Sequence, residues 1–126
     1  MKKIIRTDKA PAPIGPYNQA VLSGNTLYVS GQIAINPSDG QLVTINIIHE
    51  TNQVMENVGA ILKEAGFEYK DIVKTTIFLK DIQNFQTVNE VYGNYFTDNF
   101  PARETVEVSG LPKNVNVEIS VIAIKW

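Results

Sequence analysis

Val115-Asn116-Val117-Glu118-Ile119-Ser120-Val121-Ile122-Ala123-Ile124-Lys125 is the longest period-two segment of the chain. Successive side chains of a strand point to opposite faces of a sheet, so Val115, Val117, Ile119, Val121 and Ala123 share one apolar face. Asn116, Glu118, Ser120, Ile122 and Ile124 share the other. The first set reads as the floor of a helix-covered core. The second is neither wholly apolar nor wholly polar, which is unusual for a face that meets only water.

Working back from this strand, Gly110-Leu111-Pro112-Lys113-Asn114 is turn chemistry, and Arg103 to Val108 alternates again. That strand sets Arg103, Thr105 and Glu107 against Glu104, Val106 and Val108. Ile72 to Lys80 also has period two, with Val73, Thr75, Ile77 and Leu79 on one side, and reads as a central strand. Between these two strands, Asp81 or Asn84 can cap a helix whose stripe is Phe85, Val88, Val91, Tyr92, Tyr95 and Phe96, ending before Pro101. From Ile48 to Ala65 apolar residues recur at three- and four-residue steps, and Gly66 stands at a left-handed C-terminal position, so this segment is an amphipathic helix. Thr26 to Ala34 is a strand; Asn36-Pro37-Ser38-Asp39-Gly40 then makes a turn, and Gln41 to Thr44 returns as a short strand of a hairpin. Pro11, Pro13 and Pro16 with Gly15 make residues 10–16 an extended, semi-rigid loop. The order of elements predicts an α+β domain spanning residues 1–126, with helices gathered on one face of a mixed sheet.

Composition narrows the function classes. The chain has 44% hydrophobic and 19% charged residues and a net charge of −2, the composition of a globular domain without an overall field toward nucleic acid or an anionic membrane. No cysteine is present, which excludes thiolate nucleophiles and Cys-ligated metal. The one histidine, His49, cannot supply a multi-histidine metal site or a two-histidine acid–base pair within one chain. The basic start Met1-Lys2-Lys3-Ile4-Ile5 is followed at once by Arg6, Asp8 and Lys9, so no cleaved signal is expected, and no apolar run approaches a membrane span. A cytoplasmic location is the expectation.

The mixed outer face points to self-association, since exposed apolar patches usually mark contacts with another chain. A symmetric oligomer built on it would hold Arg103 and Glu118 near a seam between subunits, and such seams make good ligand clefts. Arg6 and Arg103 are the only arginines, and a planar guanidinium suits a carboxylate or phosphate. Arg103 and Glu118 also fit a cross-strand ion pair, worth roughly 0.2–1 kcal/mol. His49 reads as an exposed or capping residue, Tyr17 as a residue folding its loop onto the core, and Ser30 as a small residue at a bulge. Gly15, Gly31 and Gly40 fit no phosphate-loop spacing.

Ile14-Gly15-Pro16-Tyr17, Ser30-Gly31-Gln32-Ile33, Asn36-Pro37 with Gly40, Pro101-Ala102-Arg103, Val106-Glu107-Val108, and Leu111-Pro112-Lys113 followed by Val117-Glu118-Ile119 together resemble the RidA (YjgF-type) family of enamine/imine deaminases. Val73-Lys74-Thr75-Thr76, Lys80-Asp81 and Val88-Asn89-Glu90-Val91-Tyr92 extend the resemblance over nearly the whole chain. It implies a chorismate-mutase-like subunit and a homotrimer with a central β-barrel and sites between subunits. It also implies hydrolysis of 2-iminobutanoate and 2-iminopropanoate, products of pyridoxal-phosphate enzymes, to 2-oxo acids and ammonia, with no cofactor and no metal. Carried onto this sequence, the family pattern makes Arg103 the carboxylate anchor and Glu118 the residue that positions or activates water. Tyr17 joins them among the catalytic residues, and Ser30, Gly31, Thr105 and Asn89 bind substrate. Two departures stand out: Thr105 replaces a frequent cysteine, and Ser120 a frequent acidic residue. The alternatives are a small-acid-binding regulatory protein without turnover, and an endoribonuclease or translation inhibitor, which the net charge and single histidine disfavour.

Overall fold

The computed structural model describes residues 1–126. Strands β1 (Lys2–Ile5), β2 (Ala20–Ser23), β3 (Thr26–Gln32), β4 (Ile72–Leu79), β5 (Ala102–Glu107) and β6 (Val117–Ile124) form one six-stranded sheet in the order β1-β2-β3-β6-β4-β5. All neighbours are antiparallel except β4 and β5, so the sheet is mixed, as expected. Helices α1 (Ile47–Glu64) and α2 (Phe85–Gly93) cover one face of it. Along β6, Val117, Ile119, Val121 and Ala123 are all buried beneath them, which fixes Glu118, Ser120, Ile122 and Ile124 on the open face.

Helix α1 forms where the apolar period placed it. Val54, Met55, Val58, Ile61 and Leu62 recur at helical spacing and are all buried, each contributing roughly 1.5–3 kcal/mol on leaving water. Asn46 caps it, its side-chain oxygen accepting from the backbone N–H of His49 at 2.9 Å and lying 2.9 Å from the His49 ring Nδ1. The single histidine is thus a capping partner. At the other end Gly66 has φ +83°, its N–H reaches the Lys63 carbonyl, and the Phe67 N–H reaches the Leu62 carbonyl at 2.8 Å, a Schellman closure that folds Phe67 into the core.

Four expectations are corrected. Strands β1 and β2 were not foreseen: at four residues each they are too short to display alternation, although Gly24-Asn25 between β2 and β3, with Gly24 at φ +60°, is a two-residue hairpin signal. The return after Asn36–Gly40 is not a strand over Gln41–Thr44 but one bridge, Ile35 to Leu42, closed by Asn36 and Val43 N–H bonds before the chain leaves for α1. Helix α2 stops at Gly93, and Asp81 caps the preceding 3₁₀ turn Ile82–Asn84 rather than α2 itself. The register of β4 against β6 shifts between Ile72 and Lys74, so Ile72 is buried while Val73 turns outward at 43% exposure, away from Thr75, Ile77 and Leu79.

One charged side chain sits wholly inside. Glu50, in the first turn of α1, is 0% exposed. Its carboxylate accepts from the Asn116 backbone N–H at 2.7 Å, the Asn116 side-chain N–H at 2.8 Å and the Val117 N–H at 3.3 Å. A buried carboxylate is tolerated when hydrogen bonds replace its water, and the helix N-terminus adds favourable potential. The result is a fixed start for β6, and with it the outward aim of Glu118.

Candidate active site

The candidate residues fall into two groups. The first lies on the open face of the sheet, where the β3–β6 register shifts between Val29 and Gln32. There Gly31 faces Glu118 so closely that a Cβ on Gly31 would stand 2.2 Å from Glu118 Oε2 and 2.8 Å from its Cδ. Glycine is required because the carboxylate occupies the space of its missing side chain. Tyr17, Gly31 and Glu118 line one cavity of about 40 Å³, together with Ile14, Gln19 and Pro112 among others. Burial pushes the Glu118 carboxyl above its ordinary value, with no neighbouring charge to offset it. Such a group gives up its proton less readily than an exposed carboxyl and takes one back more readily.

Tyr17 is 45% exposed, and its hydroxyl accepts from the Ile14 N–H at 3.3 Å. Ser30 is next to Gly31, but its hydroxyl donates to the Asn18 carbonyl at 2.6 Å and so fastens the Tyr17 loop to β3.

The second group lies toward the β5 edge of the sheet and on its helix-covered face. Arg103 pairs in register with Thr75, which is 0% exposed and accepts from the Tyr92 hydroxyl of α2 at 2.9 Å. The Arg103 guanidinium carbon lies 5.2 Å from the Tyr92 ring centroid and 5.8 Å from that of Phe85, within cation–π range of both. Neither ion pair of the chain, Lys70 with Glu68 or Lys74 with Glu104, involves it, so its donors are free to bind an anion. Asn89 lies on α2 between Phe85 and Tyr92, and Thr105 lies two residues along β5 on the Arg103 side. Asn89 Oδ1 and Thr105 Oγ1 are both buried without a hydrogen-bond partner. Such orphans cost about 1–3 kcal/mol each and are rare unless another molecule satisfies them.

Arg103, Thr105 and Asn89 therefore sit on the opposite face of the sheet from Tyr17, Gly31 and Glu118. A cross-strand ion pair between Arg103 and Glu118 does not form: β5 pairs with β4, β6 lies beyond it, and the two side chains project to opposite sides. Sequence reasoning missed Phe85 and Tyr92 as the walls beside Arg103, although their seven-residue spacing places them on one side of α2. It also missed Gln19, which no spacing singles out. No group of three or more His, Cys, Asp or Glu side chains converges to hold a metal ion.

Known proteins share this fold over nearly the full chain. The sequence model of the family described as Endoribonuclease L-PSP matches residues 7–125. The human 2-iminobutanoate/2-iminopropanoate deaminase is 50% identical over 125 residues, covering 99% of this chain and 91% of that protein. The crystal structure of the YjgF gene product of E. coli superposes with a TM-score of 0.94 at 46% identity, covering 98% of this chain and 99% of that one. That of E. coli TdcF with bound serine superposes with a TM-score of 0.95 at 40% identity, with the same coverage. The open-face glycine and glutamate, the arginine after Pro101 and the six-stranded sheet are thus carried by a chain that belongs to the RidA (YjgF-type) family, the family described as Endoribonuclease L-PSP.

Proposed function

We propose that this protein is a 2-iminobutanoate/2-iminopropanoate deaminase that works as a homotrimer, each site taking Arg103, Thr105 and Asn89 from one subunit and Tyr17, Gly31 and Glu118 from the next. The observation that carries the reading is the division of these residues between opposite faces of one sheet, each half chemically unfinished. One half offers an unpaired guanidinium beside two orphaned polar atoms. The other offers a desolvated carboxylate in a cavity too small for a substrate alone. The open face, with Tyr28 and Val106 at 50% and 42% exposure among Lys74, Thr76 and Ser120, supports packing into a central barrel of sheets. The similarity to a deaminase that acts on these imines, and to a relative that binds serine, supports a small amino-acid-like carboxylate as ligand.

In this reading Arg103 grips the substrate carboxylate with its planar fork and so fixes the adjacent C=N carbon, an entropic contribution as much as an electrostatic one. Glu118 accepts a proton from a water molecule as the water oxygen bonds to that carbon, and passes that proton to the imine nitrogen, which completes a neutral carbinolamine. The carbinolamine then collapses: Glu118 takes the hydroxyl proton as the C=O bond forms and delivers it to the nitrogen as the C–N bond breaks, so that a 2-oxo acid and ammonia depart. The raised affinity of Glu118 for protons suits both steps. Imines are electrophilic enough that positioning and proton transfer suffice, and no cofactor is needed. The upstream partners are pyridoxal-phosphate enzymes that release the imine, and the location that suits this work is the cytoplasm. No helix is long and apolar enough to cross a membrane.

The test generates 2-iminobutanoate with a threonine dehydratase, traps it with semicarbazide, and measures how far the protein suppresses semicarbazone formation. Arg103→Ala and Glu118→Gln should each be inactive. Refolded together in equal amounts, they should regain about one quarter of the wild-type activity, the random-mixing fraction of sites that unite an intact arginine with an intact glutamate. Mixed oligomers that stay inactive would rule out a shared site. A wild type that binds small 2-oxo acids without suppressing semicarbazone would instead make the protein a sensor.

A further inference from the structure

We infer that Gln19 is a positioning residue, a buried carboxamide that clamps the loop before β2 and so holds Tyr17 over the Glu118 cavity. The inference rests on the reading of that cavity as half of the active site. Gln19 is 2% exposed. Its Oε1 accepts from the Thr7 N–H at 2.7 Å, and its Nε2 donates to the carbonyls of Thr7 at 2.9 Å, Pro11 at 2.9 Å and Ala10 at 3.3 Å. One side chain thereby ties together the exit from β1, the first proline of the loop, and the start of β2.

The same point is fastened to β3. The Ser30 N–H donates to the Gln19 carbonyl at 2.9 Å, and the Ser30 hydroxyl to the carbonyl of Asn18. Between these anchors, residues 12–17 have little holding of their own. Their internal bonds are the Tyr17 N–H to the Gly15 carbonyl at 2.8 Å and the Ile14 N–H to the Tyr17 hydroxyl, and Ile14 stands 58% exposed. Pro13 and Pro16 stiffen the segment, so its position follows from where its ends are held. Tyr17 is two residues from the clamp, and Gln19 itself lines the cavity.

The chemistry asks for glutamine. The surrounding backbone presents one donor and three acceptors, and a carboxamide carries an acceptor oxygen and two N–H donors. Glutamate keeps the size and the acceptor but sets a second oxygen against three carbonyls. Loss of the donors would leave buried carbonyls unpaired and release the loop at the rim of the core, away from the residues packed under α1.

The experiment compares wild type with Gln19→Glu, and with Gln19→Met as a neutral replacement should the glutamate variant not fold. Hydrogen exchange is followed at the amides of Thr7, Ile14 and Ser30 and in α1, and imine hydrolysis is followed across pH. The expected result is preserved α1 protection, faster exchange at the loop amides, and kcat/KM reduced about 30- to 100-fold, the scale set by an ångström of misplacement. In Gln19→Glu the ratio of variant to wild-type rate should rise as pH falls, because the protonated carboxyl regains one donor, whereas Gln19→Met should show no such recovery. Loop exchange unchanged with kcat/KM within about twofold of wild type would overturn the assignment. So would a loss of activity that only tracks the unfolded fraction. If wild type hydrolyses no imine, the catalytic reading fails by itself, and the exchange data still decide the clamp: faster loop exchange upholds it and unchanged exchange removes it.

Discussion

Gly31→Ala separates the placement of a catalytic group from the stability of the fold. The added Cβ would lie 2.2 Å from Glu118 Oε2 and 3.1 Å from its Cγ, whereas ordinary contact begins near 3.4 Å. The carboxylate must therefore retreat by about 1.2 Å, a displacement of the size that costs on the order of 100-fold in rate when it separates a catalytic group from its target. The backbone, by contrast, has little reason to object. Gly31 is not among the glycines with positive φ, so alanine is unstrained there, and the smaller freedom of the unfolded chain favours the variant by about 0.4–1 kcal/mol. The clash falls on the Glu118 carboxyl and Cγ, all in one half-exposed, flexible side chain, and is relieved by its rotation. Semicarbazone suppression should fall about 100-fold while the thermal midpoint stays at or above that of wild type. Activity within about twofold of wild type would mean that the location of the Glu118 carboxylate does not matter, and the role assigned to it would fall. A collapse in thermal stability would refute the argument from the other side, by showing that Gly31 serves packing.

Arg103→Lys keeps the charge but loses the planar fork, and should lower kcat/KM about 10- to 100-fold with the oligomer intact by gel filtration; full activity would exclude a bidentate grip. The wild-type rate should rise with pH through an acid limb lying above the ordinary carboxylate value, because burial favours the protonated form of Glu118 and the base must be ionised to accept a proton from water. A wild-type pH–rate profile that stays flat through that range would exclude Glu118 as the base. The same raised value means that the stability tied to Glu118 is fully present below its unfolded pKa and is lost as pH rises through the folded one, so Glu118→Gln should melt above wild type at neutral pH. Gly59→Ala should lower stability by about 1–3 kcal/mol in urea titration, despite the helix propensity of alanine. A Cβ there would meet the Tyr69 hydroxyl and break its 2.7 Å bond to the Met55 carbonyl. Its catalytic rate, measured on folded protein, should not change.

The helices and the long strands were legible because burial imposes period on sequence. The alternation of Val117 to Ala123 and the stripe from Val54 to Leu62 are direct prints of a single covered face. Where a strand is only four residues long, as in β1 and β2, there is no period to read, and pairing is decided by neighbours distant in sequence. The outward turn of Val73 was hidden for a related reason, since a bulge belongs to the pairing of β4 with β6 and not to either strand. The candidate site was legible only through resemblance. Parity could say that Arg103 and Glu118 have different neighbours, but not that β6 would insert between β3 and β4 and leave them on opposite sides of the sheet. Gln19 was invisible because its partners are backbone atoms, which every sequence supplies alike.

The place of β6 has a consequence for how the chain comes to be folded. It is the last strand in chain order, yet it lies between β3 and β4 and joins β1-β2-β3 to β4-β5. Without it, β3 and β4 lack the partner between them, and the Glu50 carboxylate lacks its own partners 66 and 67 residues away. During synthesis from the N-terminus, everything before residue 115 must wait with its central seam open, exposing the kind of edge on which sheets of different molecules join. Folding of this domain is thus tied to the arrival of β6, and a chain cut short before Val117 carries two sticky edges instead of a nearly closed sheet.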